Sequence, residues 1–114
     1  MVDLNRPVFL MLKDLAKVQQ EFPGTDSVFP VITINEINNT DYYNIENEEV
    51  ASDVTFQVDV WDNGDTRENC ENLAIEVSKV LTENSFRRTS SKSLKDESGL
   101  NRKMMYFNIK IINL

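Results

Sequence analysis

The sequence predicts an α+β fold of order α-β-β-α-β-β, a four-stranded antiparallel sheet with two helices packed on one face. Three observations carry that reading. Val54, Phe56, Val58 and Val60 alternate with Thr55, Gln57, Asp59 and Trp61, the period of a half-buried strand. After the breaker Asp62-Asn63-Gly64, the apolar positions become Cys70, Leu73, Ala74, Val77, Val80 and Leu81, the spacing of an amphipathic helix. Alternation then returns near the C-terminus, with Met105, Phe107, Ile109 and Ile111 on one side and Met104, Tyr106, Asn108 and Lys110 on the other.

Pro7 suits the first turn of a helix, where its missing N–H would have no partner, and Asn5 is the expected N-cap. Val8, Met11, Leu12, Leu15, Val18 and Phe22 follow at helical spacing until Pro23-Gly24 stops the run. Phe29-Pro30 leads into Val31–Ile37, β-branched and alternating, with Pro30 at a position that needs no ladder donor. Residues 38–53 are polar and acidic, with Asn-Asn-Thr-Asp turn chemistry. Either the strands extend through them as a protruding arm, or they form a long loop of the kind that tends to be functional.

The second helix is expected to start at Asp65-Thr66-Arg67-Glu68, a capping-box-like run, and to end at a left-handed Asn84. Residues 86–94 read as a more polar strand, residues 95–99 as a turn, and residues 100–112 as a long strand. The expected core is Leu12, Leu15, Phe56, Val58, Leu73, Val77, Leu81, Phe107 and Ile109. The opposite sheet face, with Gln57, Asp59, Asn108 and Lys110, is too polar for a second core and should meet water or a partner.

The 114 residues read as one domain, residues 1–114, able to bury a core without metals or disulfides. An apolar content of 40% with 27% charged residues is that of a soluble globular protein. No apolar run approaches the roughly 18–20 residues of a membrane span, and no basic stretch precedes an apolar N-terminal segment. Membrane residence is not expected. The formal charge of −7 disfavours tight nucleic-acid binding, which needs clustered cations to displace counterions. The cations are grouped, however: Arg87, Arg88, Lys92 and Lys95, with Arg102 and Lys103 nearby, against an acidic stretch over residues 36–53. Either the cations decorate a solvated hairpin, or they meet the acidic region of a neighbouring copy.

Catalysis finds little to work with. The chain has no His, which removes the commonest general base and metal ligand, Ser-His-Asp and Cys-His nucleophile sets, and the usual zinc clusters. Gly24, Gly64 and Gly99 each fall in an expected turn, so no phosphate-cradling loop exists. Asp59, Asp62 and Asp65 do not follow a calcium loop, because Trp61 and Asn63 break the alternation and no Glu closes the site. Cys70 lies on the apolar stripe of the second helix and reads as a core thiol. No catalytic residue, cofactor site or metal site is expected. Tyr42, Tyr43 and Ile45 are apolar enough to need a partner, which is either their own domain or another subunit.

Taken in order, several short motifs resemble one family. Phe29-Pro30 with Ile32-Thr33, then Phe56-Gln57-Val58-Asp59-Val60-Trp61, then Phe86-Arg87-Arg88, then Asp96 with Leu100-Asn101-Arg102-Lys103 resemble the tail-completion proteins of long-tailed bacteriophages and prophages. These are the tail terminators, or tail-to-head joining proteins. The resemblance spans roughly residues 7–112 in layout. It implies a small α+β protomer that assembles with itself as a ring, commonly a hexamer, in the virion. Such a ring caps the tube of major tail protein, stops its polymerisation and docks to the head connector protein after assembly in the bacterial cytoplasm. It brings no catalytic residues. The site residues then expected at subunit contacts are Tyr42, Tyr43, Ile45, Arg87, Arg88 and Arg102. The alternatives are a head-completion or connector subunit of the same virion and, from another class, a small non-enzymatic binding module.

Overall fold

The computed structural model describes residues 1–46 and 48–112, with the side chains at positions 43, 44, 49 and 50 outside that description. The elements are α1 (Asn5–Leu12), β1 (Lys17–Gln19), β2 (Val31–Ile45), β3 (Glu48–Asp62), α2 (Glu68–Glu83), β4 (Arg87–Lys95) and β5 (Asn101–Ile112). They form a five-stranded sheet in the order β1-β2-β3-β5-β4. All neighbours are antiparallel except β1 and β2.

The α+β class and the two helices on one face stand. The four-stranded antiparallel count is corrected: Lys17–Gln19 pairs in parallel with Val31–Thr33, making the sheet mixed. The helix expected as far as Phe22 ends instead at Leu12. Leu15, Val18 and Phe22 fit a helical period, but Val18 packs onto the core from an extended backbone, and Phe22 crosses to the other sheet face. Pairing with a strand fourteen positions away decides the outcome, and local periodicity cannot register it.

The helix caps also differ in detail. Leu4 precedes α1 as its cap residue, Asn5 is its first residue, and the Asp3 carboxylate accepts the Asn5 N–H at 3.0 Å. Arg67 precedes α2 with no side-chain cap of its own. At its C-terminus the left-handed residue is Ser85 (φ 73°), one beyond Asn84.

The core lies between the helices and one face of β2, β3 and β5. Phe56 stands opposite Phe107, and Val58 opposite Met105 and Ile34. Val8 and Leu12 from α1 and Cys70, Ala74, Val77 and Leu81 from α2 close the layer. Of the expected core, Leu12, Phe56, Val58, Val77, Leu81 and Phe107 are buried, while Leu15, Leu73 and Ile109 pack at its margin.

Residues 38–53 resolve the open question of loop or arm. Both strands run on through this stretch in register, from Val31 opposite Trp61 to Ile45 opposite Glu48, with irregularities around Ile37 and Tyr42. Fifteen residues at about 3.3 Å each span about 50 Å. They therefore run nearly the length of a molecule measuring 55 × 23 × 23 Å. β5 accompanies them part of the way, pairing with β3 as far as Ala51 opposite Ile112.

Candidate assembly surface

The sheet face away from the helices is polar, as expected, but not all of it is open. Segment 20–30 crosses its lower end. Phe22 lies on Trp61 with ring centroids 5.0 Å apart, and Phe29 packs beside Val31, Trp61 and Leu100. This small second cluster corrects the expectation of an uncovered face. Trp61 is 2% exposed and donates its indole N–H to Thr33 Oγ1 at 3.0 Å.

Arg102 sits inside that cluster. Its guanidinium carbon lies 4.8 Å from the Phe22 ring centre and 4.6 Å from that of Trp61. Its Nε donates to Asp59 Oδ2 at 2.8 Å, and a second guanidinium nitrogen reaches the same oxygen. Gln57 also donates to Asp59. Burial pushes the Asp59 carboxyl above its ordinary range, against the opposing pull of Arg102 and Gln57. Arg102 is therefore committed to its own domain, whatever else it touches.

On the helix side, Glu71 joins α2 to the β4–β5 hairpin. It accepts from Ser93 Oγ at 2.8 Å and pairs with Lys103 at 3.0 Å and Arg67 at 3.4 Å. Partial burial raises its carboxyl, but the Lys103, Ser93 and Arg67 contacts outweigh this and leave it lowered. Arg67 also donates to the Leu94 and Arg102 carbonyls. These ties fix the edge of the sheet relative to the helix. Cys70 is buried beneath them, with Sγ 3.5 Å from the Val60 carbonyl oxygen, and burial pushes its thiol up to about 11.

Of the three aspartates considered as a calcium set, Asp59 and Asp62 have separate tasks. Asp59 holds Arg102, and Asp62 accepts the Gly64 N–H at 3.0 Å in the turn before α2. Asn101 closes that turn by donating to the Gly64 and Thr66 carbonyls.

The exposed candidates fall on two separate regions. Tyr42 and Ile45 stand on the arm, 47% and 49% exposed, and Lys110 Nζ lies 5.7 Å from the Tyr42 ring centre. Tyr43 pairs with Ala51 through its backbone, and its side chain lies outside the described residues. Arg87 and Arg88 are exposed at the start of β4, the edge strand. Within one chain β3 and β5 separate β2 from β4, so three strand spacings, about 14 Å, divide these regions. The sequence singles out both sets of residues but leaves open whether they meet their own domain, solvent or another subunit. The Arg102–Asp59 pair has no signature in the sequence, because its members are 43 positions apart.

Among the described residues, no helix is long and apolar enough to cross a membrane. A search of curated proteins returns no match. A family model described as "Tail completion protein gp17" matches residues 10–111, which takes in β1 to β4, β5 up to its last residue, all of α2 and the end of α1. The chain therefore belongs to the Tail completion protein gp17 family, structural proteins of bacteriophage tail assembly.

Proposed function

We propose that this protein forms a ring on the end of the phage tail tube, stops tube polymerisation and joins the tail to the head. The observation that best supports this reading is the separation of unlike surfaces on one protomer. An acidic arm bearing exposed Tyr42 and Ile45 extends along the molecule's long axis, while cations line the opposite sheet edge. Unlike surfaces on opposite sides suit head-to-tail contacts, which close into a ring when the rotation permits. The partners are then further copies of this chain, the major tail protein and the head connector protein. A net charge of −7 also suits the wall of a DNA conduit, which should not retain a passing polyanion.

Arm aromatics should supply more of the contact energy than rim charges, which mainly set encounter rate and register. Replacing Tyr42 and Tyr43 by Ser tests this in a phage that depends on this gene. The variant protein should fold normally, while electron micrographs should show overlong tails or tails without heads. Normal joined particles at full infectivity would remove the arm from the mechanism. Normal particles after deletion of the whole gene would remove the capping function itself.

A further inference from the structure

The sheet ends in two edges of opposite charge. On one side, β4 carries Arg87, Arg88, Lys92 and Lys95 and no acid, and all its side chains but Leu94 are exposed. On the other, β1 covers β2 only at Val31–Thr33. Beyond Thr33 no strand among the described residues lies against the outer side of β2. Residues 36–53 contain six acids and no base. An open strand edge offers a row of unpaired N–H and C=O groups, and like charges along it discourage pairing with its own kind. Here β4 repels a second β4 and the arm repels a second arm, while each attracts the other.

We propose that the outer edge of the β2 arm of one copy adds to β4 of the next as a further strand, making one continuous sheet across the subunit boundary. This rests on the ring reading above and names the contact that closes the ring. Strand directions permit it. β4 runs opposite to β5 and β2 runs with β5, so a copy rotated about an axis along the strands presents β2 antiparallel to β4.

The register follows from the tilt of closed sheets. Through β5 and β3, Arg87 stands level with Asn38 of its own β2. Closed sheets tilt their strands by about 35–45°, and five strands are about 24 Å wide. The next copy is then displaced by about 20 Å, or about six residues. In the sense that lowers the arm, this brings the stretch from Asn38 to Ile45 beside β4. Main-chain bonds then add to the affinity supplied by the arm aromatics, and charge supplies the selectivity.

Disulfide trapping tests this on the isolated full chain at high concentration. Thr40→Cys or Asn38→Cys is combined with Ser90→Cys, because all three positions share the face of the sheet away from the helices. Cα atoms more than about 7 Å apart cannot be bridged, so the roughly 14 Å within one chain leaves only bonds between copies. Cys70 is buried and stays silent. Non-reducing electrophoresis after mild oxidation should show a ladder of covalent multimers for at least one pair, fading as salt rises. The same arm cysteines with Ser91→Cys, on the opposite face, should give none. Monomer alone from both pairs, or an equal ladder from Ser91→Cys, would overturn strand addition. The readout needs no tail: a ladder alongside normal tails after gene deletion removes capping and keeps strand addition, and tail defects without a ladder do the reverse.

Discussion

Arg102→Met should destabilise the fold severely at neutral pH, and the loss should shrink on acidification. The substitution keeps an unbranched stem between Phe22 and Trp61 but removes the charge facing Asp59. That carboxylate is 1% exposed in the intact pair, against 18% for Arg102, so water cannot replace the lost partner. Breaking a buried pair from one side costs about 3–5 kcal/mol, because a desolvated charge remains. Burial already raises the Asp59 carboxyl, and removing the guanidinium raises it further. A carboxyl whose folded pKa lies above its unfolded value contributes its stability fully below the unfolded pKa and loses it as pH rises through the folded one. Between those limits the loss is about 1.4 kcal/mol per pH unit. Urea melts at pH 7 and pH 5 should therefore show the gap between variant and parent closing at the lower pH. Adding Asp59→Asn should recover much of the loss at pH 7, since no buried charge is then left. A deficit below about 1 kcal/mol at pH 7, or one that ignores pH, would refute the assignment of Asp59 as a buried carboxylate held by Arg102.

Two further predictions concern the other face. Phe107→Ala removes a fully buried ring opposite Phe56 and should cost about 3–5 kcal/mol in denaturant melts. A loss below about 1 kcal/mol would mean that β5 presents its other face to the helices. The Cys70 thiol, pushed up to about 11, should react with a disulfide reagent at pH 8 only as fast as the protein opens. Immediate stoichiometric reaction of the folded protein would contradict its burial.

What the sequence made legible follows the range of the interactions involved. Alternation in residues 54–60 and 105–111 fixed which face of β3 and β5 meets the helices, because period 2 leaves only two choices. β1 has no signature in the sequence, because a three-residue parallel pairing leaves no local pattern and Val18 satisfies a helical period equally well. Sequence alone does not distinguish arm from loop, because residues 38–41, Asn-Asn-Thr-Asp, are polar on both faces and neither favours burial. At the candidate surface, Tyr42, Ile45, Arg87 and Arg88 stand out in the sequence as candidates for a contact, while their exposure, and the Lys110 beside Tyr42, are visible only in the structure. Arg102 looked the same in sequence. Its commitment depends on Asp59 and on Phe22 crossing the sheet, and both contacts are long-range.

That contrast bears on how assembly can be studied in this chain. Among the described residues, no third strand lies beside the arm beyond the Ala51–Ile112 pair. A two-stranded ribbon has no core of its own and contributes little to global stability. The side chains of β4 likewise lie outside the main cluster, although its backbone is tied to β5. Substitutions at Tyr42, Ile45, Arg87 or Arg88 therefore act on surfaces the protomer does not need in order to fold. Arg102 differs, because losing it unsettles the protomer before any contact between copies is tested. An assembly defect from an Arg102 variant would report on folding, whereas the same defect from an arm variant with unchanged melting would report on the contact itself.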